Sequence, residues 1–185
     1  YNMSYKNASI VMAVIIGCLM LFGNKKVRII AVLKNQLQVF KNAKTCKTSI
    51  WDLLCFIVMP IVLAMLIVVF IGASISVRLA EVITTVFAFI FTVLFGFAAI
   101  LVGKMDCKNK IERQVVSETF VSIMTSNILS LISSILSIGI IITDNEIIIN
   151  ILSVIIYSFS FMIIMLMLMI SKRTFIIYCN NIEDR

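Results

Sequence analysis

Residues 115–142 read VVSETFVSIMTSNILSLISSILSIGIII, with Glu118 as the one charged side chain. As a helix rising about 1.5 Å per residue, the stretch is about 42 Å long, more than the ~30 Å of a bilayer's hydrocarbon core. Its polar residues are not scattered. Ser122, Ser126, Ser130 and Ser134 recur every fourth position, and Thr119, Asn127, Ser133 and Ser137 widen the same stripe. Helices in lipid associate through close packing of small residues and through hydrogen bonds, because hydrocarbon offers no hydrophobic force between them. The stripe therefore predicts a membrane-spanning helix whose serine face meets another helix.

Four further apolar runs flank this one, at residues 8–23, 51–73, 82–103 and 147–171. The last three are long enough to span. Residues 8–23 make only about 24 Å of helix, so that run either crosses a locally thinned bilayer or dips in and returns. Strands of a membrane barrel would alternate apolar and polar residues over about ten positions, and nothing here does so. The whole chain of 185 residues is 62% hydrophobic and 14% charged, with a mean hydropathy of +1.14. A soluble domain is roughly 45 to 50% apolar and about 25% charged. The expected fold is thus all-α: residues 1–185 form a single polytopic membrane domain, with four transmembrane helices, a short N-terminal fifth span and a basic cytoplasmic connection, residues 24–50.

Fourteen of the sixteen Lys and Arg residues fall in residues 24–50, in residues 104–113 or in the tail after residue 171. Short basic loops stay on the cytoplasmic side. The N-terminus is then outside and the C-terminus cytoplasmic, with Lys6, Arg78 and the acidic turn Thr143 to Glu146 on the outer face. Residues 1–7 show no signal-peptide pattern, so the first helix is expected to stay in the mature chain. Asn2 and Asn7 match the glycosylation triplet, which has meaning only in a eukaryotic secretory pathway. Cys18, Cys46, Cys55, Cys107 and Cys179 form no CxxC pair and read as free thiols.

In the basic connection, Ile29, Ile30, Leu33, Leu37 and Phe40 recur at helical spacing, with Lys26, Lys34, Gln38 and Lys41 on the remaining arc. This is an amphipathic basic helix. It suits the headgroup plane of anionic lipid, an acidic cytosolic protein, or phosphates bound without sequence reading. The candidate partner- or lipid-binding residues are Lys25, Lys26, Arg28, Lys34, Lys41, Lys104, Lys108 and Lys110.

A second small-residue face, Thr85, Ala88, Thr92, Gly96, Ala99 and Gly103, lies on the run 82–103. With the serine stripe it predicts a homo-oligomer interface through Ser122, Ser126, Ser130, Ser134, Ala88, Thr92 and Gly96. Copies arranged about an axis would instead line a polar path, with Asn127 and Glu118 along it. Arg113 and Asp52 are the conceivable partners of Glu118. Pro60 should kink the second run, and Met162, Met165, Met167 and Met169 crowd the fifth.

Enzyme chemistry finds no support. The chain has no His, the commonest general base and metal ligand, and no GxSxG, HExxH, phosphate loop or paired intramembrane carboxylates. No catalytic residue, metal or cofactor is expected. A secondary transporter would show matching halves with broken helices, and these are missing.

In size, span count and basic cytoplasmic loops the chain resembles the small membrane subunit of the bacterial Kiwa anti-phage system. The likeness lies in overall plan rather than in a motif. It implies a homo-oligomeric sensor or scaffold in the bacterial inner membrane that recruits a cytosolic effector, through which nucleic acid is met only indirectly. The expected function is that of a non-enzymatic antiviral defence scaffold presenting Lys25 to Lys47 and Lys104 to Arg113 to a cytosolic protein partner. The alternative is a small oligomeric channel or transporter with a Ser- and Asn-lined path.

Overall fold

In a computed structural model the chain is described at residue 12, over residues 29–39 and 50–103, and over residues 110–183. The regular elements there are all helical. Helix α1 is Ile29–Val39. Helix α2, residues 50–70, changes pitch along its length. It is α-helical at Ile50–Leu53 and Met59–Met65 and π-helical at Leu54–Val58 and Leu66–Phe70. Helices α3 (Val77–Val102), α4 (Lys110–Ile142) and α5 (Glu146–Glu183) complete the order.

Four stretches are long and apolar enough to cross a membrane: Trp51–Phe70, Val77–Val102, Arg113–Ile142 and Glu146–Phe175. The protein is an all-α polytopic membrane protein. The expected span 8–23 lies outside the described residues, apart from Met12, which is helical and exposed. Two predicted boundaries shift for local reasons. Helix α2 ends before residue 73 because Gly72 turns the backbone to φ 71°, the left-handed region that glycine enters without a steric penalty. Helix α3 begins at Val77 rather than at residue 82. Ser76 caps it by accepting the Leu79 N–H at 3.4 Å, so Arg78 and Glu81 lie in its first turns instead of bounding it.

The kink expected at Pro60 becomes a change of helical pitch. Proline has no N–H to give the carbonyl four residues back, and the turn before it widens, with the Met59 N–H reaching Leu54 O. Wide turns of this type gather at functional sites.

Helix α4 is the hub, packed against α1, α3 and α5, and α2 packs on α5. Consecutive spans α2 and α3 do not pack on one another. The connection from α2 to α3 instead runs past α5, where the Ile75 N–H donates to Ser153 Oγ at 2.9 Å with both residues buried. One apolar cluster forms around Ile75, Phe87, Leu129 and Ile156. The other joins Leu94 and Ala98 of α3 to Val116 and Ile123 of α4. Large apolar side chains such as Leu63, Phe89 and Phe95 point outward, as lipid-facing helices require.

Replacing Ser153 by Ala removes the acceptor of a buried backbone donor that has no water to turn to. The expected loss is about 1–3 kcal/mol, read as a lower unfolding midpoint in detergent, with helical circular dichroism unchanged before the transition.

Candidate functional site

The serine stripe of α4 is used up inside the protomer. Ser122, Ser126, Ser130, Ser133 and Ser137 are fully buried, and only Ser134 is half-buried. Four of these hydroxyls are directed back along their own helix, whereas Ser133 Oγ is buried without a partner. Ser122 donates to Glu118 O at 3.0 Å, Ser126 to Ser122 O at 3.0 Å, Ser130 to Asn127 O at 2.9 Å and Ser137 to Ser133 O at 2.9 Å. A hydroxyl satisfied in this way makes serine a small, closed surface that lets neighbouring helices approach. The expectation that Ser122, Ser126 and Ser130 meet another copy of the chain is corrected. Their covering helices belong to the same chain, because α4 packs against α1, α3 and α5.

The α3 half of that expected interface stands differently. Ala88, Thr92 and Gly96 are exposed, as are Thr85, Ala99 and Gly103. They lie roughly opposite the buried face of Phe87, Leu94, Ala98 and Leu101. A Cβ built on Gly96 meets nothing within 4 Å, and the Thr92 hydroxyl is given to Ala88 O at 3.0 Å. Phe91 and Phe95, with ring centroids 6.1 Å apart, form a ridge along one edge of the groove.

Glu118 finds neither Arg113 nor Asp52 as its ion-pair partner but Arg173, at 3.1 Å. It also accepts from Gln114 Nε2 at 2.9 Å. The side chains of the pair are 19% and 30% exposed for Arg173 and Glu118. Arg173 Nη1 is buried without a partner. The pairing is invisible in sequence because Arg173 stands 55 positions away, among tail residues that read as topology signals. Asn127 is buried with both amide atoms unpartnered. Nine residues from Glu118, it sits about two and a half turns along α4 and on the opposite side. The two therefore do not line a common path within the protomer.

Helix α1 docks on α4 by a face that the periodicity did not mark. Gln36 is its buried residue, with Val32, Leu33 and Val39 half-buried and Leu37 exposed. The contact face is rotated by about a quarter turn from the apolar stripe centred on Leu33. The reason is a polar contact: the Thr125 hydroxyl donates to Gln36 Oε1 at 3.4 Å as well as to Val121 O at 2.9 Å. Beside this contact, α1, α2, α4 and α5 line a half-open cavity of about 230 Å³. Sequence reasoning missed it. The available signal was Thr125, a polar residue about a quarter turn off the serine stripe.

Of the basic candidates, Lys34 is exposed on α1, and Arg113 and Lys172 are exposed near the end of the bundle that carries Glu118. Lys110 begins α4. Lys25, Lys26, Arg28, Lys41, Lys104 and Lys108 lie outside the described residues. Among the described residues, no three His, Cys, Asp or Glu side chains come together to hold a metal ion. Comparison with protein-family models, with curated proteins and with solved structures finds no match for the chain.

Removing one member of the Glu118–Arg173 pair leaves a largely buried ion without its counter-charge. Glu118→Gln is expected to cost about 1–2 kcal/mol, between an exposed pair and a fully buried one. The double variant Glu118→Gln/Arg173→Gln should recover part of this loss in a double-mutant cycle of unfolding in detergent.

Proposed function

We propose that the protein is a non-enzymatic membrane scaffold or sensor subunit that assembles with copies of itself through α3 and offers a basic surface to a cytosolic protein. The observation that carries this reading is the uncovered α3 groove of Ala88, Thr92 and Gly96. Gly96 leaves open space, and Phe89, Val93 and Phe95 are exposed beside it. Small residues of this kind let two membrane helices approach closely enough for their backbones to touch. A second copy supplies the ridges that such a groove accepts.

The basic surface is read from charge placement. The end of the bundle bearing Lys110, Arg113, Lys172 and Arg173 is basic, and the opposite end has the turn Thr143 to Glu146. By the positive-inside rule the first end is cytoplasmic, in a bacterial inner membrane, with anionic lipid and an acidic protein surface as its natural ligands. The resemblance to the membrane subunit of the Kiwa system adds a setting, anti-phage defence, in which the cytosolic partner is an effector that acts on nucleic acid. The channel alternative has less support, since the hydroxyls of Ser122, Ser126, Ser130 and Ser137 are given to backbone carbonyls.

Gly96→Leu fills the groove without touching the protomer's own packing. It should reduce the particle mass in mild detergent to that of one chain, measured by size-exclusion chromatography with light scattering, while thermal stability stays within about 0.5 kcal/mol of the parent. Ser126→Leu should instead lower protomer stability, because its site is fully buried. An unchanged mass for Gly96→Leu counts against α3. Orientation is checked separately by cysteine accessibility: Asn145→Cys should react with a membrane-impermeant maleimide in intact cells, and Lys172→Cys only after permeabilisation.

A further inference from the structure

We infer that the half-open cavity lined by α1, α2, α4 and α5 is a binding site for an uncharged, membrane-dissolved molecule carrying a carbonyl group, with Gln36 as the hydrogen-bond donor. Gln36 is 5% exposed, lines the cavity, and its Nε2 has no hydrogen-bond partner. A buried amide N–H left unmatched costs about as much as a lost hydrogen bond, so an acceptor in the cavity removes a standing penalty. Thr125, the other polar residue in the wall, has already committed its single hydrogen to Val121 O and Gln36 Oε1. The buried wall atom left without a partner is therefore the donor Gln36 Nε2, and it takes an acceptor.

The rest of the wall sets the remaining chemistry. It is apolar, including Phe56, Ile57, Leu129 and Met162, and contains no charged side chain, so an ion entering it would lose its hydration without a counter-charge. A volume of about 230 Å³ exceeds the ~150 Å³ of an apolar cavity that takes benzene. Thr125 lies seven residues from Glu118, about 10 Å further along α4. A lipid headgroup held near the Glu118–Arg173 pair would not bring its charge to this depth. Phe56 and Ile57 reach the wall from the π-helical stretch Leu54–Val58, and Met162 contributes a pliable surface. Each feature is independent of the α3 groove, so this site stands or falls apart from self-association.

Benzophenone is a suitable probe, being an uncharged ketone that couples to nearby C–H bonds on irradiation. The full chain in detergent micelles is irradiated with it, digested, and the adduct located by mass spectrometry. Labelling should favour Met162 over the outward-facing Met59 and Met65. Dibutyl ketone should protect Met162 about tenfold better than nonane, the ratio given by one hydrogen bond of about 1.4 kcal/mol. In Gln36→Leu, which keeps the volume and loses the donor, that ratio should fall to about one. Labelling spread evenly over the three methionines, equal protection by ketone and hydrocarbon in the parent chain, or a tenfold ratio that survives Gln36→Leu would each overturn the assignment.

Discussion

A bilayer interior supplies no water, so a polar group placed there has to be satisfied by the protein itself. Helix α4 meets this constraint at almost every turn. Thr119, Ser122, Thr125, Ser126, Ser130 and Ser137 all donate to carbonyls of their own helix. The helix with the most polar interior can therefore sit at the centre of the bundle with Asn127 and Ser133 as its buried side chains left unpartnered. The same self-sufficiency makes its surface small and even. Helices α3 and α5 close on it through Ile123, Val116 and Leu129, and the apolar bulk of α2 and α3 is left for lipid.

Polar contacts between elements are few, and two of them fix the position of α5. Arg173 holds it to Glu118 of α4, and Ser153 holds it to the Ile75 N–H of the connection before α3. These residues are twenty positions apart, about 30 Å along the helix axis, which equals the hydrocarbon thickness. One pin thus sits near each face of the bilayer. Between them the contacts are apolar and tolerant of small shifts. The exceptions are Gln36 on Thr125, next to the cavity, and Asn127 and Ser133, whose buried side-chain polar atoms have no partner.

The two proposed surfaces are consequently separate. The proposed self-association would draw on the outer side of α3, which is exposed among the described residues. The proposed ligand site would draw on a wall shared by α1, α2, α4 and α5. Lys34 stands on the same short helix as Gln36, exposed on the side away from the cavity. Movement of α1 on α4 would alter the presentation of that lysine and the shape of the cavity together.

The class, the spanning helices and the groove on α3 were legible in the chain because they follow from local chemistry: runs of apolar residues long enough to cross hydrocarbon, and small residues at helical spacing. The serine stripe was legible as a small polar face that calls for cover from lipid. Its partner was not legible. Ser126 reads the same whether α3 and α5 or a second copy covers it, and only the folded arrangement shows that the chain covers it itself. Glu118 with Arg173, Ile75 with Ser153 and Gln36 with Thr125 join residues 55, 78 and 89 positions apart. Sequence spacing carries no information on such pairs, because each depends on how rigid helices are placed side by side. By itself, then, the sequence determined which segments enter the bilayer and which helix faces are small. The tertiary structure alone decided which of those faces are consumed within the protomer and which remain to bind something else. The physical reason is that hydrocarbon selects for length and polarity along one helix, whereas burial is a property of several helices at once.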